Sequence, residues 1–274
     1  MGILYLIATP IGNLEDISQR ALRLLGQVNL IAAEDTRQTR KLLAHFDIHT
    51  PLTSYFEHNK LSKLNEILGA LAKGDVALVS DAGMPGLNDP GYELVRAALA
   101  AGYTVSPVPG ASAPLAALVV SGLPTDAFLY LGYLPRKPTE RRRSLERVAD
   151  LPYTLIFLEA PSRLSSTLED MLAVLGNRHT AIARELTKLH EEIYRGSLSE
   201  AREYFRLHEP RGEFTLVVAG NRETPKLWEP EQVIQALEAE LARGASPSQA
   251  ASRVASQSGW ERRKVYKLMS ERKP

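Results

Sequence analysis

Residues 75–91 read DVALVSDAGMPGLNDPG. Asp75 to Ser80 is a short apolar run with β-formers, which predicts a strand buried on both faces. Asp81 to Gly91 is loop, rich in glycine, proline and small residues, and Tyr92 to Ala101 then takes helical spacing. A strand that breaks at a glycine-rich bend and passes into a helix is half of a parallel βαβ unit. Read outward, the same alternation continues on both sides. Tyr103 to Val108 is a strand and Leu61 to Leu71 a helix. Asn29 to Ala33 is an apolar run followed by the polar corner Glu34-Asp35-Thr36-Arg37 and a helix to His45. At the start, Gly2 to Ala8 is a strand ending at Thr9-Pro10-Ile11-Gly12-Asn13. Leu14, Ile17, Ala21, Leu22 and Leu25 then recur at helical spacing over Leu14 to Leu25.

Leu123-Pro124-Thr125 reads as a hinge, beyond which the alternation restarts. Strands are predicted at Phe128–Gly132, Tyr153–Leu158, Thr180–Arg184, Glu192–Gly196 and Phe214–Ala219, with helices at Thr139–Ala149, Arg163–Leu175 and Ser199–Leu207. From Thr224 onward no strand-like run occurs. Helices are expected over Pro230–Leu241, after Ser246-Pro247-Ser248, and over Glu261–Met269, with Gly259 as a break. The expected architecture is α/β: two consecutive α/β domains, 1–122 and 123–223, with mainly parallel or mixed sheets, and a small all-α module, 224–274.

A chain of 274 residues suits two domains plus an appendage, at roughly 100–200 residues per domain. With 44% hydrophobic and 24% charged residues it is neither disordered nor membrane-embedded in composition. It contains no cysteine, which excludes disulfides, cysteine nucleophiles, thiolate zinc sites and iron–sulfur clusters. The apolar start is too short for a signal peptide, and no stretch nears the roughly 18 apolar residues of a membrane span. A cytoplasmic protein is therefore expected. Phosphate-loop, dinucleotide, HExxH and GxSxG signatures are all absent. His45 and His49 lack a third partner, so no metal site is expected.

Charge is even in total, at +1, but not locally. Arg136 to Arg147 holds six basic and two acidic residues, and Glu261 to Lys273 holds the same excess. Each patch fits either a solvated helix or a polyanion contact. In the tail, Ala250, Ala251, Val254, Ala255, Val265 and Leu268 would form the seam of a helix-turn-helix-like unit, leaving Arg262, Arg263, Lys264 and Lys267 to meet phosphate. Three small-residue loops end strands of the first domain: 9–13, 80–86 and 109–113. In open α/β sheets ligands sit beyond the carboxyl ends of strands. Glu34, Asp35 and Arg37 end a strand in the same way, as do Arg184, Glu185 and Lys188 in the second domain. For Glu34 and Asp35 the competing reading is capping of the following helix, and for Arg184 and Lys188 an ion pair with Glu185.

The motifs TPIGNLEDIS, AEDTRQTRKLL, SYFEHN, SDAGMPGLNDPG, LGYLPRK, FLEAPSRL, ARELTKLHEE and GEFTLVVAG, in this order from Ile3 to Gly220, resemble the ribosomal RNA small subunit methyltransferase I family, of the tetrapyrrole-methylase-like class. Met84, Phe56, Leu158 and Ser162 depart from the residues usual there. The resemblance implies S-adenosylmethionine bound between the two α/β domains, at Pro10, Asp81, Ala82, Gly83, Met84, Ser112, Ala113 and Leu158. It implies 2′-O-methylation of a cytidine ribose in the decoding region of 16S ribosomal RNA, within the 30S subunit, by a homodimer. Glu34, Asp35, Arg184, Glu185 and Lys188 are the catalytic candidates, without assigned roles. Arg37, Arg141, Arg142 and Arg143 join the tail cations as RNA-binding candidates. Two other readings stand beside this one: the same fold acting on a tetrapyrrole or other small molecule, and a non-enzymatic nucleic-acid-binding regulator.

Overall fold

The computed structural model describes residues 2–221 and 228–270. Contacts gather Met1–Gly220 into one compact unit and Asn221–Pro274 into a second. Both expected α/β lobes fall in the first unit, and the boundary expected at 223/224 lies outside the described residues.

The first sheet is built from β1 (Ile3–Ile7), α1 (Gln19–Leu25), β2 (Leu30–Ala33), α2 (Thr36–His45), β3 (Leu52–Ser54), α3 (Leu64–Leu71), β4 (Val76–Val79), α4 (Tyr92–Ala100) and β5 (Thr104–Val108). Its strand order is β3-β2-β4-β1-β5, and every pairing is parallel. Parallel neighbours need crossover helices, and these cover both faces. Because side chains alternate along a strand, Ile31 and Ala33 pack with Leu24, Leu25 and Leu43 under α1 and α2, while Ala32 and Leu78 pack with Ile67, Leu71 and Leu94 under α3 and α4. All carboxyl ends of the strands therefore share one edge.

α5 (Ala113–Val120) leads to the second sheet, made of β6 (Phe128–Tyr133), α6 (Pro138–Glu146), β7 (Thr154–Glu159), α7 (Leu164–Leu175), β8 (His179–Arg184), β9 (Glu192–Ser197), α8 (Leu198–Leu207) and β10 (Phe214–Val218). The order is β6-β7-β10-β8-β9, with β6 and β7 parallel and the rest antiparallel, a mixed sheet. Leu155, Phe157 and Leu216 face α6, α7 and α8, whereas Ile156, Ala181 and Val217 face Ala117 and Leu118 of α5. Each such wholly buried Leu-sized side chain contributes roughly 1.5–3 kcal/mol. The α/β class with mixed sheets is as expected from the sequence.

Local details differ. The helix expected over Leu14–Leu25 is split: Asn13 caps a single 3-10 turn at Leu14–Asp16, and Ile17 is extended. Ser18 then caps α1 by accepting the Ala21 N–H. Two competing caps in one periodic stretch break it in two. β3 was not anticipated, being only three residues long after Pro51.

In the second unit, α9 (Pro230–Ala242), α10 (Pro247–Ser258) and α11 (Arg262–Ser270) pack through Val233, Leu237, Ala250, Ala251, Val254 and Val265. Gly259 takes φ +72°, which ends α10 in a left-handed cap. Trp260 Nε1 donates to Trp228 O at 2.8 Å, tying the turn to the start of the unit. Among the described residues no helix is long and apolar enough to cross a membrane.

Candidate active site

The loops on the carboxyl edge of the first sheet are joined to one another. Thr9 and Gly83 exchange backbone hydrogen bonds at 2.9 and 3.0 Å, which ties the loop after β1 to that after β4. Gly83 sits at φ +78°, where glycine carries no Cβ penalty. Asp35 N donates to Asp81 Oδ1 at 3.0 Å, and Asp81 N to Glu34 Oε2 at 3.4 Å, so the end of β2 is fixed to the same cluster.

These loops form one wall of a cleft of about 230 Å³. Ile11, Glu34, Asp81 to Met84, Leu87 to Asp89, and Ser112 to Pro114 line it from the first sheet. Tyr130, Tyr133, Leu158, Ala183, Glu185, Leu186, Lys188 and Glu213 to Thr215 line it from the second. The walls touch at two points. Asn13 N donates to Thr187 Oγ1 at 3.1 Å, and a Cβ at Gly12 would collide with the Lys188 stem. On the other side a Cβ at Gly132 would collide with the Asn88 amide. Asn88, Glu185 and Thr187 all hold φ between 49° and 65°, strained conformations that persist where the surroundings over-determine them.

The walls differ in charge. Burial pushes Glu34, Asp81 and Asp89 above the ordinary carboxylate range. The neighbouring charges of Asp89, Asp81 and Asp35 add to the rise at Glu34, and Asp35 and Asp81 do the same at Asp81 and Asp89 respectively. Burial is the largest cause at all three; the Arg37 cation partly offsets it at Asp81 and a hydrogen bond from Ser80 does so at Asp89. Opposite them, Lys188 Nζ donates to Glu185 Oε1 at 2.9 Å and Glu213 Oε2 at 3.4 Å. Burial pulls the Lys188 pKa down, but these two carboxylates outweigh it and raise it, so it stays an ammonium. The hydrogen bond from Lys188 lowers Glu185. Burial raises Tyr133 and pushes Tyr130 up to about 12, which keeps both phenols neutral.

Most of the residues expected at the cofactor lie together here: Asp81, Ala82, Gly83, Met84, Ser112, Ala113 and Leu158. Pro10 is buried behind the wall, and its neighbour Ile11 takes the lining position. Glu34, Glu185 and Lys188 also line the cleft. Asp35 does not: it caps α2 through the Arg37 N–H at 2.8 Å and holds the Arg37 guanidinium at 2.7 Å, which draws its own pKa down to about 2. Arg37, 83% exposed, is thereby pinned beside the edge. Arg184 lies off the cleft and pairs with Glu192 at 3.2 Å rather than with Glu185.

Arg141 corrects an expectation. It is 3% exposed, bound through Nε to Asp170 Oδ2 at 2.6 Å, and so is no surface contact. It occupies the inward face of α6 with Leu145, where only a paired charge is tolerated. Arg142, tied to the other Asp170 oxygen, and Arg143 are exposed, as are Arg262, Arg263, Lys264 and Lys267 in the second unit. Sequence reasoning missed Asp89, Tyr130, Tyr133 and Glu213. All four sit inside or beside quoted motifs, Asp89 directly before the Pro90-Gly91 entry to α4, a position whose polar residue signals a loop returning to the sheet edge.

The residues fit S-adenosylmethionine: an apolar strip at Leu158 and Ala183, a glycine-shaped backbone cradle at Gly83, and the carboxylates of Glu34, Asp81 and Asp89 suit a nucleoside bearing a sulfonium and an ammonium.

The profile of the tetrapyrrole (corrin/porphyrin) methylases matches residues 3–202. Ribosomal RNA small subunit methyltransferase I of Halalkalibacterium halodurans is 50% identical over 272 residues, covering 97% of this chain and 94% of that protein. Its counterpart in Synechocystis is 47% identical over 274 residues, 99% of this chain and 98% of that one. The Thermotoga maritima protein of the same name is 48% identical over 221 residues, 80% of this chain but 99% of that protein. Among solved structures, uroporphyrin-III C-methyl transferase from Thermus thermophilus, complexed with S-adenyl homocysteine, superposes with a TM-score of 0.55 at 22% identity, over 79% of this chain and 97% of that one. The methyltransferase CobJ gives 0.60 at 20% identity, over 81% and 95%. Sequence kinship along nearly the whole chain, together with the shared fold, places the protein in the ribosomal RNA small subunit methyltransferase I family of the tetrapyrrole methylases, and thereby among the S-adenosylmethionine-dependent methyltransferases.

Proposed function

We propose that this chain methylates the 2′-hydroxyl of a cytidine ribose in the decoding region of 16S ribosomal RNA, within the 30S subunit. The carrying observation is the division of the cleft: the carboxylates of Glu34, Asp81 and Asp89 on one wall, and the Lys188 ammonium with the phenols of Tyr130 and Tyr133 on the other. The relatives' name, ribosomal RNA small subunit methyltransferase I, supports the acceptor class.

S-adenosylmethionine, held by Asp81 to Met84, Ser112, Ala113 and Leu158, supplies an electrophilic methyl group when bound. What remains for the protein is to orient a ribose hydroxyl and remove its proton. Glu34 is the proposed base, since burial and its acidic neighbours make it more basic than a free carboxylate. Lys188 stays protonated at neutral pH, so its role is to balance charge developing on the oxygen. Tyr130 and Tyr133, un-ionised, are placed to donate hydrogen bonds to the acceptor at the mouth. Arg37, Arg142, Arg143 and the cations of α11 contact phosphates. We further propose a cytoplasmic homodimer, supported by the exposed Leu115 and Val119 on the outer side of α5.

Transfer of labelled methyl from S-adenosylmethionine to naked 16S RNA and to assembled 30S subunits tests the reading, with the product nucleoside identified by mass. Label on a cytidine ribose is expected. No incorporation into either substrate, or methylation of a tetrapyrrole instead, overturns it.

A further inference from the structure

β6 runs through a bulge between Tyr130 and Gly132 to Tyr133, which lines the cleft, and then into Leu134-Pro135-Arg136-Lys137 before α6 begins. Pro135 and Pro138 lack an N–H, so this segment cannot join a ladder and its carbonyls need donors from elsewhere. Three successive carbonyls find them in guanidinium groups. Arg163 Nη2 donates to Leu134 O at 2.7 Å and Pro135 O at 3.3 Å, and Arg141 Nη1 donates to Arg136 O at 3.5 Å.

Each guanidinium has its own buried counter-charge. Arg163 Nε lies 3.2 Å from Glu159 Oε1, an ion-pair distance without hydrogen-bond alignment. The wholly buried Glu159 also accepts from Thr167 Oγ1 at 2.6 Å and Ala160 N at 2.9 Å. Arg141 is held by Asp170. A fully buried pair such as Arg141–Asp170, or a buried Glu159 facing a half-buried Arg163, is seldom the most stable filling for a core, where apolar residues of similar volume often do as well. Their use here is explained by what the arginines do with their remaining donors. They turn the carbonyls of 134–136 inward, leaving the Arg136 and Lys137 side chains exposed next to Tyr133.

We propose that Arg163 and Arg141 are positioning residues for the acceptor: they hold 134–137 as a rigid rim on which Tyr133, Arg136 and Lys137 meet the polynucleotide beside the cleft. This rests on the RNA reading above. The rim fixes where the phosphate backbone lies, and hence which ribose hydroxyl enters the cleft.

The test uses the full-length protein with 30S subunits, and Arg163→Lys, which keeps the charge facing Glu159 but cannot also reach two carbonyls. KM for 30S subunits is expected to rise about tenfold, in line with the cost of displaced positioning groups, while the cofactor Kd stays within about twofold. Arg136→Gln with Lys137→Gln should raise KM similarly and lower the salt slope of RNA binding by about 1.4–1.8. Because both act through one rim, combining them with Arg163→Lys should add little, whereas a merely structural arginine would give additive losses. An unchanged KM, equal loss of cofactor binding, or additivity overturns the rim while the wild-type enzyme is active. Wild-type protein that methylates neither naked RNA nor subunits overturns the functional reading and the rim together. Should Arg163→Lys fail to fold, the exposed pair, which leaves the buried network intact, decides alone: no rise in its KM overturns the proposal.

Discussion

Replacing Asp170 by asparagine separates a structural from a surface role for the arginines of α6. Asp170 is 2% exposed and neutralises Arg141, itself 3% exposed, through Nε and Nη2, both 2.6 Å from Oδ2. Asparagine keeps the shape but removes the charge, and its amide can turn a donor toward the guanidinium donors. The buried Arg141 cation is then left uncompensated, which costs about 3–5 kcal/mol. Arg142 adds little to this, because its side chain is mostly in water and exposed pairs are worth about 0–1 kcal/mol. Against a total stability of roughly 5–15 kcal/mol the loss is large. For a unit of this size it lowers the melting temperature by about 6–20 °C.

Both tryptophans, Trp228 and Trp260, lie in the second unit. Fluorescence therefore reports that unit alone, while urea denaturation followed by far-UV circular dichroism reports mainly the first. The expected result is a shift in the dichroism transition with the fluorescence transition unmoved. Converting the pair to apolar residues, Arg141→Met with Asp170→Leu, should restore most of the lost stability. An Asp170→Asn protein within about 1 kcal/mol of wild type would refute the reasoning. So would a lowered RNA salt slope at unchanged stability, which a surface phosphate contact at Arg141 predicts.

Glu34→Gln should lower kcat by about 10²-fold or more if Glu34 takes the hydroxyl proton. The acidic limb of the wild-type kcat/KM profile should fall above pH 4.5, the ordinary glutamate value, because the group's pKa is raised; a limb at or below that value would count against the assignment. Asp89 is raised by burial, so its ionised form opposes folding at neutral pH and its protonated form does not. The stability of Asp89→Asn relative to wild type should accordingly increase as pH rises through the folded pKa, and fade toward pH 3.8, measured by urea denaturation across that range; the opposite slope would show a carboxylate satisfied by a cation. A chain ending at residue 221 should keep its cofactor Kd, since every described residue that lines the cleft belongs to the first unit. It should bind RNA with a lower salt slope, read by calorimetry and filter binding, and an unaltered slope would remove α11 from the RNA contacts.

The strand Val76–Val79 was legible because all four residues are buried, so an unbroken apolar run carries the signal. The edge that forms the site was legible for the same reason: parallel strands put every carboxyl end together, and the glycine loops mark those ends. α5 was harder to place, since Ala113–Val120 is apolar throughout and its period does not say that Ala117 and Leu118 face the second sheet. Arg141 was read as part of a basic run, although with Leu145 at i+4 it shares the buried face. Its partner, Asp170, lies 29 residues on and on another helix, and nothing local in the sequence announces a pairing at that distance. Asp89 joins Glu34 and Asp81 only because the loop after β4 folds back over the edge, which is a tertiary fact.

On the proposed reading a cationic donor and a polyanionic acceptor meet at one cleft, and each must be kept from capture by the other's recognition groups. The charges around the cleft divide by sheet, and the exceptions are paired: Arg37 with Asp35 on the parallel side, and Glu185 and Glu213 with Lys188 on the mixed side. Glu34, Asp81 and Asp89 all come from loops of the parallel sheet, whereas Lys188, Arg136, Lys137 and the rim arginines come from the mixed one. Lys188 is further tempered by Glu185 and Glu213, so a donor bound as proposed would meet a paired, directional ammonium rather than a field that repels a sulfonium. With a screening length of about 8 Å at physiological salt, cations a few side chains beyond the mouth are felt by a phosphate backbone passing over it and only weakly by a ligand inside. An overall charge of +1 is therefore the sum of two opposed local designs. On the proposed roles the basic rim can be altered without changing donor binding, whereas the acidic wall touches both partners, since Glu34 on it is the proposed base for the acceptor.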